Sequence, residues 1–210
     1  MKKVYSLLAL LVVTSLGCVS AGSRLERHVV DRIQEGVTRR AEVEKILGAP
    51  RSTLQGSDRK VLVDYAFGRY HPGSQPEAIG PTSRVIGSVW ERSVSILYDT
   101  EGVVLKKTHF ETERRIRADE DRVWTGQNIS DDDLKFIEPG VTTFAEITKR
   151  FGRPSAKGLN LQGRFVYDWQ YAVAKEPSGL NIKGRTIQMA FEDDGRVIDY
   201  RIHGNLPTLP

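Results

Sequence analysis

The sequence has only one cysteine, Cys18, among its 210 residues. No intrachain disulfide can form, so the fold must hold by packing alone. Long apolar runs are missing too. The main apolar stretch, residues 4–16, falls short of the roughly 20 residues that a bilayer-spanning helix needs. No charge of one sign dominates: 31 basic and 27 acidic side chains are interspersed, for a net charge of +4. Loss of residues 1–17 would lower this to +2, which gives no support to nucleic-acid binding. Histidine is scarce and scattered, at His28, His71, His109 and His203, with no two at metal-ligand spacing, so no metal is expected. No serine stands in a Gly-x-Ser-x-Gly elbow and no glycine-rich phosphate loop opens a helix. The expectation is a protein that is not an enzyme and carries no cofactor.

What is present begins at the N-terminus. Met1-Lys2-Lys3 is basic, residues 4–16 are apolar, and small residues follow, so residues 1–17 read as a signal peptide. Cys18 stands where that stretch ends, in Ser15-Leu16-Gly17-Cys18, which resembles the lipobox of bacterial lipoproteins. The resemblance implies that the Cys18 thiol is acylated, with palmitate or a similar chain, and that residues 18–24 form a lipidated tether. Gly17 and Cys18 match the pattern; its leucine, expected three residues before the cysteine, is here Ser15, with Leu16 standing late. Ordinary cleavage after Ala21 in Val19-Ser20-Ala21 is the alternative reading.

The remaining chain repeats itself. Gly36-Val37-Thr38-Arg39-Arg40-Ala41-Glu42-Val43-Glu44-Lys45-Ile46-Leu47-Gly48-Ala49-Pro50 aligns with Gly140-Val141-Thr142-Thr143-Phe144-Ala145-Glu146-Ile147-Thr148-Lys149-Arg150-Phe151-Gly152-Arg153-Pro154. Eight of the fifteen positions are identical at an offset of 104, which persists to Asp64 and Asp168. At Tyr98 and Phe191 the offset has fallen to 93, so the first copy carries 11 extra residues between its first two strands. A register kept through a helix, a turn and two strands marks an internal duplication.

Each copy has a readable plan. Thr38 and Thr142 are placed to cap a helix, and Glu42 and Glu146 fall in its first turn, where negative charge is favoured. Gly48 and Gly152 can end the helix in a left-handed conformation, and Pro50 and Pro154 stop its continuation. Gly36 and Gly140, at the head of the motif, complete the set of fold-defining residues. Alternating aromatic and β-branched residues at Val61, Val63, Tyr65 and Phe67, and at Phe165, Tyr167, Trp169 and Tyr171, predict half-buried strands. A second strand follows in each copy, with Val94, Ile96 and Tyr98 matched by Ile187, Met189 and Phe191, and a tight turn leads to a third. Short helices precede each copy over residues 25–33 and 131–137. The expected class is α+β, two tandem α-α-β-β-β modules whose helices pack on one face of an antiparallel sheet, with the other face open. The first module spans residues 25–117, with a loop insertion over residues 69–91 that is rich in Gly and Pro. A connector over residues 118–129 leads to the second module, residues 130–204, and residues 205–210 are an unstructured tail.

Gly-Val-Thr-x-x-Ala-Glu-(Val/Ile)-x-Lys-x-(Leu/Phe)-Gly-x-Pro, an aromatic strand and a (Tyr/Phe)-x-x-x-Gly hairpin resemble the BamE (SmpA/OmlA) outer-membrane lipoprotein family. In tandem, such modules also resemble the β-lactamase-inhibitor protein fold. The resemblance covers residues 25–204. It implies a lipoprotein on the periplasmic face of the cell outer membrane that scaffolds or modulates envelope and outer-membrane protein assembly by binding other proteins. Val19 after the cysteine, rather than Asp, fits transport to the outer membrane. The chain departs from the assembly factors, which usually carry one module, and from the inhibitors, which carry disulfides. A periplasmic or secreted inhibitor-like or ligand-binding module is the alternative. The expected partners are the membrane, through the lipid anchor, and a protein of the envelope machinery or periplasm.

Partner-binding candidates are few. Asp64 and Asp168 recur on the polar face of matching strands and mark either a ligand surface or a solvated one. Trp90 and Trp124 could anchor a partner, or simply pack. The acids at Asp131, Asp132 and Asp133 read as a helix start. The mixed charges of residues 111–122 read as a solvated face.

Overall fold

The computed structural model describes residues 20–21, 25–79, 82–174 and 182–204. Residues 1–17, expected to be a signal peptide, Cys18 with the expected tether at 18–24 (of which only 20–21 are described) and residues 205–210, expected to be a tail, lie outside the described residues. In chain order the elements are β1 (Ser20–Ala21), α1 (Arg27–Val30), α2 (Arg40–Leu47), β2 (Ser52–Gln55), β3 (Val61–Ala78), β4 (Arg84–Tyr98) and β5 (Val104–Ala118). They continue with β6 (Val123–Thr125), α3 (Asp131–Leu134), α4 (Phe144–Phe151), β7 (Ala156–Leu159), β8 (Phe165–Ala174), β9 (Ile182–Phe191) and β10 (Val197–His203).

The ten strands form one antiparallel sheet in the order β1-β3-β4-β5-β6-β8-β9-β10, with β2 beside β3 and β7 beside β8. Strand accounts for 51% of the structure and helix for 14%, and the sheet curls into a half-barrel. This overturns the expected α+β class of helices packed on the face of a sheet. Two physical causes account for the difference. The leading helices, expected over residues 25–33 and 131–137, are single four-residue turns. Stretches expected to be loop are strand instead. Residues 69–91 extend the β3–β4 ladder, with Arg69 opposite Trp90 and Tyr70 opposite Val89. The regular ladder runs through Pro72 and, after a shift of register, resumes at Glu77; among the described residues, the strands on the far side of β3 pair no further than Arg69. At an edge, the N–H that proline lacks would only face water. The connector also holds a strand, β6, which pairs with β5 on one side and β8 on the other and so fuses the two copies.

The duplication is reproduced bond by bond. Gly36 N–H donates to Val104 O and Gly140 N–H to Val197 O, both at 2.7 Å. Arg51 and Ser155 N–H donate to the carbonyls of Asp64 and Asp168 at 2.8 and 2.7 Å. Gly36 and Gly140 have φ of +75° and +79°. Gly48 and Gly152 cap their helices at φ +81°, ψ −155° and φ +75°, ψ −166°. That is an extended, glycine-only region rather than the left-handed helical one expected. Thr38 and Thr142 are not the caps. The helices start one residue later, and Thr38 and Thr142 are buried with their carbonyls accepting from Val104 and Val197 N–H. Their hydroxyls instead accept from Gln34 and Glu138 N–H, at 2.8 Å each, tying back the preceding turn.

Each copy has its own core. In the first, Val30, Val43 and Leu47 meet Val63, Tyr65, Val94, Ile96 and Tyr98. In the second, Ile147 and Phe151 meet Trp169, Ile187, Met189 and Phe191, and Trp169 Nε1 donates to Gly152 O at 2.9 Å. A third cluster joins the copies: Leu62 and Leu97 of the first pack against Leu159, Leu161 and Phe165 of the second. The sheet face expected to be open is therefore partly closed by the other copy.

Candidate functional site

The seam between the copies gathers the polar groups. β7 lies against β4 and β5. Ser93 Oγ donates to Lys157 O at 3.1 Å, and a Cβ on Gly158 would stand only 2.9 Å from Ser95 Oγ, so a side chain there would displace that hydroxyl. Asp64 accepts from Ser95 Oγ at 2.5 Å and from Ser52 Oγ at 3.0 Å. Asp168 accepts from Gln188 Nε2 at 3.1 Å. Burial pushes the Asp168 carboxyl above its ordinary range, and the nearby Asp64 adds to that; the Gln188 hydrogen bond and His203 oppose it. Asp168 also lines a cleft of about 720 Å³ between the copies, with Arg51, Arg92, Phe110 and Gln170. The sequence-derived pair is thus brought together in a half-buried seam between the copies rather than on a fully solvated face.

A second cavity, of about 630 Å³, opens where β5, β6, β8 and the end of α4 meet. Arg114, Arg115, Arg117, Arg122 and Arg153 line it, against one carboxylate, Glu113. Trp124, Trp169 and Tyr171 supply aromatic wall, and Gln127, Asn128 and Gln170 supply amides. Arg114 is held by Glu91 at 2.7 Å and Arg122 by Asp119 at 2.9 Å, carboxylates outside the cavity. Among the described residues, Arg115, Arg117 and Arg153 have no ion-pair partner, and Arg114 Nη1 is buried without a hydrogen bond. Arg117 stands directly opposite Trp124 across the β5–β6 ladder, so the two side chains share a face. The Arg122 guanidinium lies 4.9 Å from the Trp124 ring centroid.

Of the two tryptophan candidates, only Trp124 belongs to this cavity. Trp90 Nε1 donates to Glu111 Oε1 at 2.8 Å, its ring carries the Arg92 guanidinium at 3.9 Å, and Phe67 meets it edge-on at 5.9 Å. The arginines were missed because residues 111–122 read as evenly mixed charge. On a strand, Arg115 and Arg117 project to the same side, while Glu111 is taken up by Trp90 and Arg92 and Glu113 accepts from Ser88. Period two applied to this stretch would have found the pair.

His109 Nε2 donates to Leu25 O at 3.1 Å, a structural role, and no group of three metal-ligating side chains occurs among the described residues. No family model, curated protein or solved structure matches the chain.

Proposed function

We propose that this chain is an exported lipoprotein, anchored through Cys18 on the periplasmic face of the outer membrane, that scaffolds or modulates envelope assembly by binding another protein. The leader, the lipobox-like cysteine and the duplicated BamE-like motif support the compartment and the class. One observation carries the binding mode: three arginines, without ion-pair partners among the described residues, line with Trp124 a cavity built from both copies. Guanidinium forks in a recess pair with carboxylates bidentately, and an aromatic wall adds apolar contact. The partner's contribution in this reading is an acidic segment, seated against Arg115, Arg117 and Arg153.

The test is capture from intact cells by crosslinking, comparing the wild type with Arg115→Glu/Arg117→Glu. The double variant is expected to melt normally and to lose its crosslinked partner at least tenfold. Undiminished capture of the same partner by a folded double variant would exclude the cavity as the docking site. Cys18→Ala tests the anchor separately: it is expected to abolish acyl labelling and release the protein from membranes.

A further inference from the structure

β10 closes one end of the sheet and, among the described residues, pairs with β9 alone, which leaves its outer edge open. The equivalent strand of the first copy, β5, has no such freedom: β7 lies against it and β6 pairs with Ile116–Ala118. At the opposite end of the sheet β3 is flanked by β1 and β2. An open edge next to a folded sheet is a template for another strand. A second copy added edge to edge through a two-fold axis would present this same strand to itself.

The sequence of β10 decides whether it fits itself. A two-fold axis normal to an antiparallel ladder keeps each residue on its own face, so the axis must pass through a residue. Centred on Asp199 or on Arg201, the register would set like charges opposite each other. Centred on Tyr200, it sets Asp199 opposite Arg201 twice. Within one strand Arg201 Nε and Asp199 Oδ2 stand 3.8 Å apart, and both side chains are well exposed, so each is available to a facing strand. Ile202 is 43% exposed, and Tyr200 packs its inner side on the second core. The irregularity between Val197 and Asp199 confines the pairing to the strand's outer part.

We infer that β10 is a self-complementary edge through which two copies of this chain pair antiparallel about Tyr200, held by reciprocal Asp199–Arg201 pairs. The ladder is short, so the dimer is a dissociating one, below the size of a permanent interface.

The experiment is sedimentation of the full chain in density-matched detergent over a range of concentrations, with charge reversals at the edge. The wild type is expected to show a concentration-dependent monomer–dimer equilibrium that weakens with salt. Asp199→Arg alone and Arg201→Asp alone each set like charges opposite each other twice, and each is expected to weaken the dimer roughly tenfold. The double variant D199R/R201D restores opposite charges across the axis and is expected to recover dimerisation. A monomer at every concentration overturns the inference, as does a dimer indifferent to the single reversals or one that the double variant fails to restore. All of these variants change exposed side chains, and a thermal melt of each confirms that the fold is kept.

Discussion

Burying a carboxylate away from water favours its neutral form, and at Asp168 this is only partly offset by Gln188 and His203. The direction of the pH effect follows from linkage. The folded-state pKa lies above the ordinary 3.8, so the folded protein holds the proton at a pH where the unfolded chain has lost it. Below that ordinary value the residue costs nothing; as pH rises through the raised pKa, the destabilisation grows to its full size. Asp168→Asn is therefore expected to melt higher than wild type at pH 7, with the gap closing towards pH 3.5. Thermal melts of both proteins across that range check it, and a gap that widens in acid would contradict the burial argument. At Gly48 the backbone occupies φ +81°, where any Cβ is strained. No atom lies within 4 Å of a Cβ built there, so the cost of Gly48→Val is purely conformational, about 1–3 kcal/mol by denaturant unfolding. The need for glycine at this position was legible in the sequence, from the helix that ends there and the proline that follows. The burial of Asp168 was not: a polar residue on an alternating strand reads as solvated until the strand that covers it is known.

Among the elements, the two threonines at the start of α4, Thr142 and Thr143, divide the work that one was expected to do. Thr143 caps α4: its hydroxyl accepts from Glu146 N–H, and Glu146 returns a bond to Thr143 N–H at 2.8 Å. Thr142 is buried, accepting from Glu138 N–H and donating to Phe136 O at 3.1 Å. Thr143→Ala removes an exposed cap, a loss of about 1 kcal/mol. Thr142→Ala removes a buried side chain and two part-buried hydrogen bonds, to Glu138 N–H and Phe136 O, a loss of about 1–3 kcal/mol, and is expected to be the more damaging of the two. Chemical denaturation of both variants gives the order directly. The helix of each copy, its glycine stop and its first strand were legible because their signals are local: apolar spacing of 3.6 or 2, a cap and a breaker. The long β3–β4 hairpin was not, because Gly and Pro signal interruption unless the neighbouring strand is known. Pro72 stands where β3, among the described residues, is an edge, and its missing N–H costs no ladder bond there.

At the scale of the molecule, the question is whether two copies with separate cores behave as one body. Three features tie them: the β5–β6–β8 ladder, the Ser93–Lys157 hydrogen bond and the leucine cluster at the seam. None of them was visible in the repeat itself, since a duplication says how each copy folds and nothing about the surface they share. Leu159 is the sharpest probe. It is 5% exposed and packs with Leu62 and Leu97 of the other copy, while belonging to neither main core. Truncating a buried leucine costs about 2–5 kcal/mol, from lost transfer free energy and the cavity left behind. Here that cost falls on the coupling between copies rather than on either core. Calorimetry of the wild type is expected to give a single transition with matching calorimetric and van't Hoff enthalpies. Leu159→Ala is expected to lower the midpoint and split the transition into two, each copy then melting on its own core. A core substitution such as Ile147→Val should instead shift one transition without splitting it. If Leu159→Ala melts as one cooperative unit, the β6 ladder and the Ser93–Lys157 hydrogen bond suffice to couple the copies, and Leu159 is not what couples them.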